Sequence, residues 1–297
     1  MNEMAASPRW NEAGLRRRPA PIRRRLSLHV MVIAICLMWL VPTVGVLVNS
    51  FRPARLVAAM GWWTALLPPF RFTTQNYADV LETYGLGQGF LNSLVITLPA
   101  TVIPVAMAAL TAYALAWMPL RGRGFVVGLF VGALAVPLQL TLVPVFEVLT
   151  RARLIGTFPA AWLAHTAYGL PLATYLLHNV MAALPRDLIE SAAIDGATPV
   201  DIFARVVLPL CRPALASLII FQFLWVWNDL LIALIFVGGK SEVAPMTVVV
   251  SNLANSLGQD WQLLTAGTVL SMMIPIAVFF AFQRGFIRGV LAGALKG

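Results

Sequence analysis

Polar side chains are few within the apolar segments of this 297-residue chain, and those few are the candidates for chemistry. Asn228-Asp229 sets an amide beside a carboxylate inside a long apolar stretch. A carboxylate at mid-bilayer costs ~2.5–3.5 kcal/mol, so one retained there faces a helix bundle or an aqueous path. Gln139 and Asn92 are uncharged polar residues in similar surroundings. These four residues are the candidates for lining a route taken by a polar solute. His165 and His178 are thirteen residues apart, ~220° around a helix, so they do not share a metal ion. Gly239-Lys240-Ser241 ends like a phosphate-binding loop, but position 234 is Leu where that motif requires Gly. No Ser/His pair, carboxylate dyad or histidine cluster is present in the apolar segments. The pattern argues against bond chemistry and for handling a solute.

A second constellation lies between two apolar segments: Glu190-Ser-Ala-Ala-Ile-Asp-Gly196, with Leu208-Pro209 twelve residues after the glycine. Pro185 suits the first turn of a helix, and Asp187 and Glu190 suit its positive end. Leu188 and Ala192 fall on one face, with Ile189 and Ala193 on neighbouring rows. Gly196 supplies the left-handed residue that ends the helix. Thr198 then caps a second helix, with Pro199 and Asp201 in its first turn. Phe203, Val206 and Val207 give it an apolar side, and Pro209 and Pro213 are expected to break it. The product is a compact elbow over residues 182–213, with small residues at its tip where another surface can approach. A surface-lying amphipathic loop is the plainer alternative.

The elements that carry these groups follow from composition. Hydrophobic residues make up 60% and charged residues 11%, outside the soluble globular range. Apolar runs long enough to span a bilayer must satisfy their own backbone, which makes them helices. The fold class is therefore all-α, a polytopic membrane protein. Six spans are expected, near 28–48, 90–117, 124–146, 158–181, 214–237 and 262–283. Residues 1–27 read as a basic tail and 49–89 as a long outer connection rich in aromatic residues, with Tyr77–Leu81 as a short surface helix. Residues 90–290 read as one membrane domain. Pro99, Pro104, Pro137, Pro144, Pro171 and Pro275 read as kinks.

The net charge of +9 reflects nineteen Arg and two Lys, concentrated in tails and short loops. Topology explains that better than nucleic-acid binding. With both termini inside, fifteen of the basic residues face the cytoplasm and six face out, as the positive-inside rule requires. Cys36 and Cys211 have neither metal-ligand spacing nor grounds for a disulfide.

The spacing Glu190, five residues, Gly196, nine residues, Val206, one residue, Leu208-Pro209 resembles the signature loop of permease subunits of ATP-binding cassette importers. Ser191 stands where that family usually has Ala, and Val206 where Ile is commoner. Ile194–Phe203, Trp227–Leu234, Asn92-Ser93, Pro137, Pro144 and Thr74–Tyr77 resemble the sugar-importing, maltose-type branch. The likeness covers roughly residues 70–295. It implies the type I importer permease fold, in a bacterial cytoplasmic membrane. It also implies a second permease as heterodimer partner, two cytoplasmic ATP-binding subunits and an extracytoplasmic sugar-binding protein. The elbow residues that would couple to the ATPase are Glu190, Ala192, Asp195, Gly196, Ala197, Phe203, Leu208 and Pro209. ATP with magnesium would be used by the ATPase, and this chain would bind no cofactor. A standalone secondary transporter or channel is the alternative reading, disfavoured by the lack of inverted repeats and of intramembrane charge.

Overall fold

The computed structural model describes residues 22–256 and 260–294. The chain divides into two compact units, one ending at Gly45 and the other beginning at Val46. The boundary falls inside α1 (Ile22–Ser50), which starts earlier than the sequence suggests. Arg23, Arg24 and Arg25 therefore belong to a helix rather than to the expected tail, whose residues 1–21 lie outside the described part. Apolar side chains of the first unit, Met38 and Trp39 among them, are exposed, as suits a helix surrounded by lipid.

The second unit begins with a built connection rather than an open loop. It holds α2 (Ala54–Ala59), a 3₁₀ turn at Trp62–Leu66, α3 (Gln75–Ala78) and a π turn at Asp79–Thr83. Arg52 is its centre. Only 2% exposed, its guanidinium donates to Asn49 Oδ1, to the carbonyls of Leu56 and Met60, and to Thr64 Oγ1. Those partners satisfy a charge that burial would otherwise penalise heavily. Asn76 donates to the Ser50 and Arg52 carbonyls, and the Ser50 and Tyr77 hydroxyls lie 2.6 Å apart.

Two long helices carry the body of the unit, α4 (Leu86–Trp117) and α7 (Phe158–Ala182). Ala100, Ala108 and Ala112 on α4 and Ala160, Ala161, Ala164 and Ala173 on α7 are almost fully buried. Small residues let helix backbones approach closely where lipid supplies no hydrophobic drive for association. Both helices run on through their prolines, Pro99, Pro104 and Pro171. Between them lie α5 (Arg123–Leu134) and α6 (Leu138–Arg151), bent by 105°. The third expected span is thus broken at Pro137, whose ring disfavours a helical residue before it.

After α7 come α8 (Arg186–Ile194), α9 (Pro199–Ile202), a π turn at Phe203–Val207, and α10 (Leu208–Leu210). Then follow α11 (Arg212–Trp227), a π turn at Ala233–Val237, α12 (Met246–Ser256) and α13 (Trp261–Ala294). The fifth expected span, 214–237, stops at Trp227. The Asp229 carboxylate accepts from the Ala233 backbone N–H and caps the short segment that follows. Helix α12 falls between the fifth and sixth expected spans, where no element was placed. Its run Thr247-Val-Val-Val is β-branched and short, which hides a helix from periodicity, yet it packs on α4 and α13.

By length and composition, Leu26–Ser50, Leu86–Trp117 and Trp261–Phe282 can each cross a membrane. Two bent pairs, α5 with α6 and Pro199–Leu210 with α11, raise the total to at most five among the described residues. The shortfall from six is α7. It is long enough at ~37 Å, but its interior position permits Ala, Gly, His and Thr where a lipid-facing helix needs larger apolar groups.

Candidate functional site: the elbow and the polar groups of the spans

The elbow is held by three local devices. At the end of α8, Gly196 has φ +83°, a conformation that costs an L side chain but not glycine. Its N–H donates to the Ala193 carbonyl at 3.1 Å, and the Ala197 N–H donates to the Ala192 carbonyl at 3.0 Å. These are the paired bonds of a Schellman end, and Ala192 and Ala197 pack into the same apolar cluster. The next device is a capping box: Thr198 Oγ1 accepts from the Asp201 N–H at 3.2 Å, and Asp201 Oδ2 accepts from the Thr198 N–H at 3.3 Å. Hydrogen bonds from the Thr198 side chain and backbone, with the Arg205 charge 3.5 Å away, hold the Asp201 carboxyl below the usual carboxylate range.

The third device corrects an expectation. Pro209 does not break the second helix. The Leu208 N–H reaches back five residues to the Phe203 carbonyl, so the chain widens into a π turn just before the proline. That widening makes room for a ring that would otherwise meet the carbonyl four residues back. The break comes at Cys211, where Pro199–Leu210 meets α11 at 77°.

The elbow is seated on the ends of α4 and α7. Tyr113 Oη donates to the Pro199 carbonyl at 2.9 Å, and its ring lies 5.1 Å from that of Phe203. Trp117 Nε1 donates to the Met181 carbonyl at 3.1 Å. Ile202, Val207 and Cys211 are buried against Ala109, Ala112 and Leu177, with Ile189, Phe203 and Leu208 partly covered beside them. The opposite surface is left bare. Ile194 is 85% exposed and Val200 73%, with Glu190 and Asp195 exposed nearby. The polar elbow thus presents large apolar side chains at its tip.

The other candidates divide. Asn92 is 2% exposed and donates to the carbonyls of Ser241 and Ala244, so it fastens α4 to the segment before α12. Gln139 and Asn228 are exposed, and the Asn228 side chain donates to the Leu224 carbonyl. Asp229 is partly buried, 3.9 Å from His165 Nε2, and His165 stands edge-on to Trp225 at 5.2 Å. Sequence spacing had set His165 aside because it was compared with His178. Its partner lies 64 residues further along the chain, beyond any local pattern. Tyr113 was also missed, although a tyrosine near the end of a span needs a hydrogen-bond partner.

The sequence profile of the binding-protein-dependent transport system inner membrane component family matches residues 100–291, which includes the whole elbow. The chain belongs to this family. It is a permease subunit of a binding-protein-dependent ABC importer, not an enzyme, and the standalone transporter is set aside. It is 51% identical over 276 residues to the osmoprotective compounds uptake permease protein GgtD of Synechocystis sp., covering 92% of this chain and 93% of that one. It is 49% identical over 241 residues to the alpha-glucoside transport system permease protein AglG of Rhizobium meliloti, covering 80% of this chain and 63% of that one. Its fold is shared with a bacterial ABC transporter involved in import of the acidic polysaccharide alginate, with a TM-score of 0.72 at 19% identity, covering 94% of this chain and 99% of that one.

Proposed function

We propose that this permease carries a sugar or glycoside through the cytoplasmic membrane, paired with a second permease and driven by two cytoplasmic ATPase subunits. Both termini and the elbow at 182–213 lie on the cytoplasmic side. The observation that carries this reading is the elbow itself. Two capped helices are clamped to α4 and α7 on one face and present Ile194 and Val200 bare on the other. Such a body transmits a push, because its internal bonds hold its shape while the 77° bend at Cys211 joins it to α11.

Asp195 and Gly196 form the contact region at the tip, with Glu190 at its edge towards α4 and α5. Ala192, Ala197, Phe203, Leu208 and Pro209 maintain its shape and seat. Asn228, Asp229 and Gln139 border the solute route, whereas Asn92 positions the wall behind it. A separate polypeptide hydrolyses ATP with magnesium, and an extracytoplasmic binding protein delivers the solute.

The sugar assignment is supported by the relatives named for α-glucosides, and by others named for trehalose and arabinooligosaccharides. A second reading, an osmoprotective solute, is favoured by the 51% identity to GgtD. Uptake of labelled α-glucosides and of non-sugar osmoprotectants into cells with and without this chain separates the two. Uptake of neither would refute both.

A further inference from the structure

We infer that the cavity where α4, α5, α7 and α8 meet holds the headgroup of an anionic, hydroxyl-bearing phospholipid of the phosphatidylglycerol type. The cavity has a volume of about 640 Å³. It opens where α4 ends, α5 and α8 begin and α7 ends, beside the elbow. The inference rests on the cytoplasmic placement of the elbow, which sets this cavity at the inner edge of the bilayer.

Its lining is divided as a lipid headgroup is. Leu115 and Val127 form an apolar wall, while Arg123 from α5 and Arg186 from α8 bring two guanidinium groups from separate elements. Among the described residues, neither arginine has a carboxylate within salt-bridge distance. Glu190 also lines the cavity, four residues after Arg186, and is not paired with it. His178 borders the same space with a buried Nδ1 that has no hydrogen-bond partner. Two arginines and one glutamate leave a net charge of +1, which a phosphodiester balances. A zwitterionic lipid leaves that charge uncompensated. Hydroxyls on the headgroup match the acceptor capacity of Glu190, which a bare phosphate would meet only with repulsion.

The acyl chains have a surface to follow. Phe125 and Leu129 lie one turn apart on α5 and are 79% and 63% exposed. Basic pockets between membrane helices on the cytoplasmic side attract anionic headgroups for the same electrostatic reason. A phosphate shared by Arg123 and Arg186 ties the coupling helix to a membrane span, so lipid composition tunes how the elbow is seated.

The test uses the assembled transporter in nanodiscs of phosphatidylcholine, titrated with phosphatidylglycerol. It reads retained lipid by native mass spectrometry and solute-stimulated ATP hydrolysis. Arg123→Gln should weaken the apparent phosphatidylglycerol response about fivefold, the worth of one interfacial basic residue. Gly124→Leu should do the same by filling the space, since a Cβ there meets nothing within 4 Å. Arg121→Gln, in the turn just before α5 and outside the lining, should respond as wild type. The inference is overturned if both variants keep the wild-type response or if soluble glycerol phosphate replaces the lipid. It also fails if a photocrosslinker at Val127 captures a polypeptide instead of lipid. Failure of the elbow assignment would look different: Gly196 variants would stay coupled whatever the lipid.

Discussion

Gly196 is the residue at which backbone geometry meets the proposed coupling. A Cβ added there touches nothing within 4 Å, so space does not oppose a side chain. What opposes it is φ +83°, where an L residue costs ~1–2 kcal/mol relative to glycine. If the ATPase accepts only an elbow closed by the Ala192–Ala197 and Ala193–Gly196 bonds, Gly196→Ala lowers the competent fraction. Docking then weakens by up to about 5–30-fold, because apparent affinity scales with that fraction. Gly196→Asn should recover most of the loss, since asparagine enters the left-handed region more readily. Gly196→Glu should do worst, adding bulk and negative charge at a helix C-terminus that already disfavours it. The assay is copurification of the ATPase, together with solute-stimulated hydrolysis, at matched levels of membrane insertion. Equal coupling in wild type, Gly196→Ala and Gly196→Glu would refute the reasoning.

Other expectations follow from the same contacts. Tyr113→Phe keeps the ring against Phe203 but removes one of two donors to the Pro199 carbonyl, which retains the Phe203 N–H, a loss of about 0.5–1.5 kcal/mol; thermal unfolding of the purified complex measures it. Thr198→Ala removes the cap of the second elbow helix and should cost ~0.5–2 kcal/mol locally, seen as faster amide exchange at residues 201–203. Asp201 has its folded-state pKa depressed, so its contribution is present above the ordinary aspartate value of about 3.9 and is lost as pH falls through the lower folded value. Amide protection factors over the elbow, corrected for the intrinsic pH dependence of exchange, should therefore stay flat from neutral pH down to about 4 and fall only below that, while Asp201→Asn abolishes the acid dependence. Asn92→Leu removes the donor to the buried Ala244 carbonyl and to the Ser241 carbonyl, and should lower thermal stability while leaving the solute preference of transport unchanged.

Local signals account for much of what sequence alone reveals here. The helix stop at Gly196 and the cap at Thr198 each depend on residues within four positions, and both occur in the structure. Pro209 was misread because its neighbours do not reveal that the helix widens into a π turn before the ring. The bend at Pro137 divides one apolar run into two helices, which a hydropathy average smooths over. Helix α12 escaped notice because its β-branched core is short. Most opaque are the long-range pairings. Tyr113 with Pro199, Asn92 with Ala244, and His165 with Asp229 join residues 64 to 152 positions apart. Burial of Arg52 belongs to the same class, since an arginine in an outer segment reads as solvated until the chain folds around it.

The central claim is that a separate ATPase pushes on the elbow from the cytoplasm. Single cysteines at Ile194 and Val200 test it most directly, in a background lacking exposed Cys36 and buried Cys211. In intact cells carrying the whole transporter, a short crosslinker at either position should capture the ATPase subunit, with a yield that changes when ATP is trapped. Labelling of both positions by a membrane-impermeant thiol reagent added outside, with no ATPase adduct, would contradict the account.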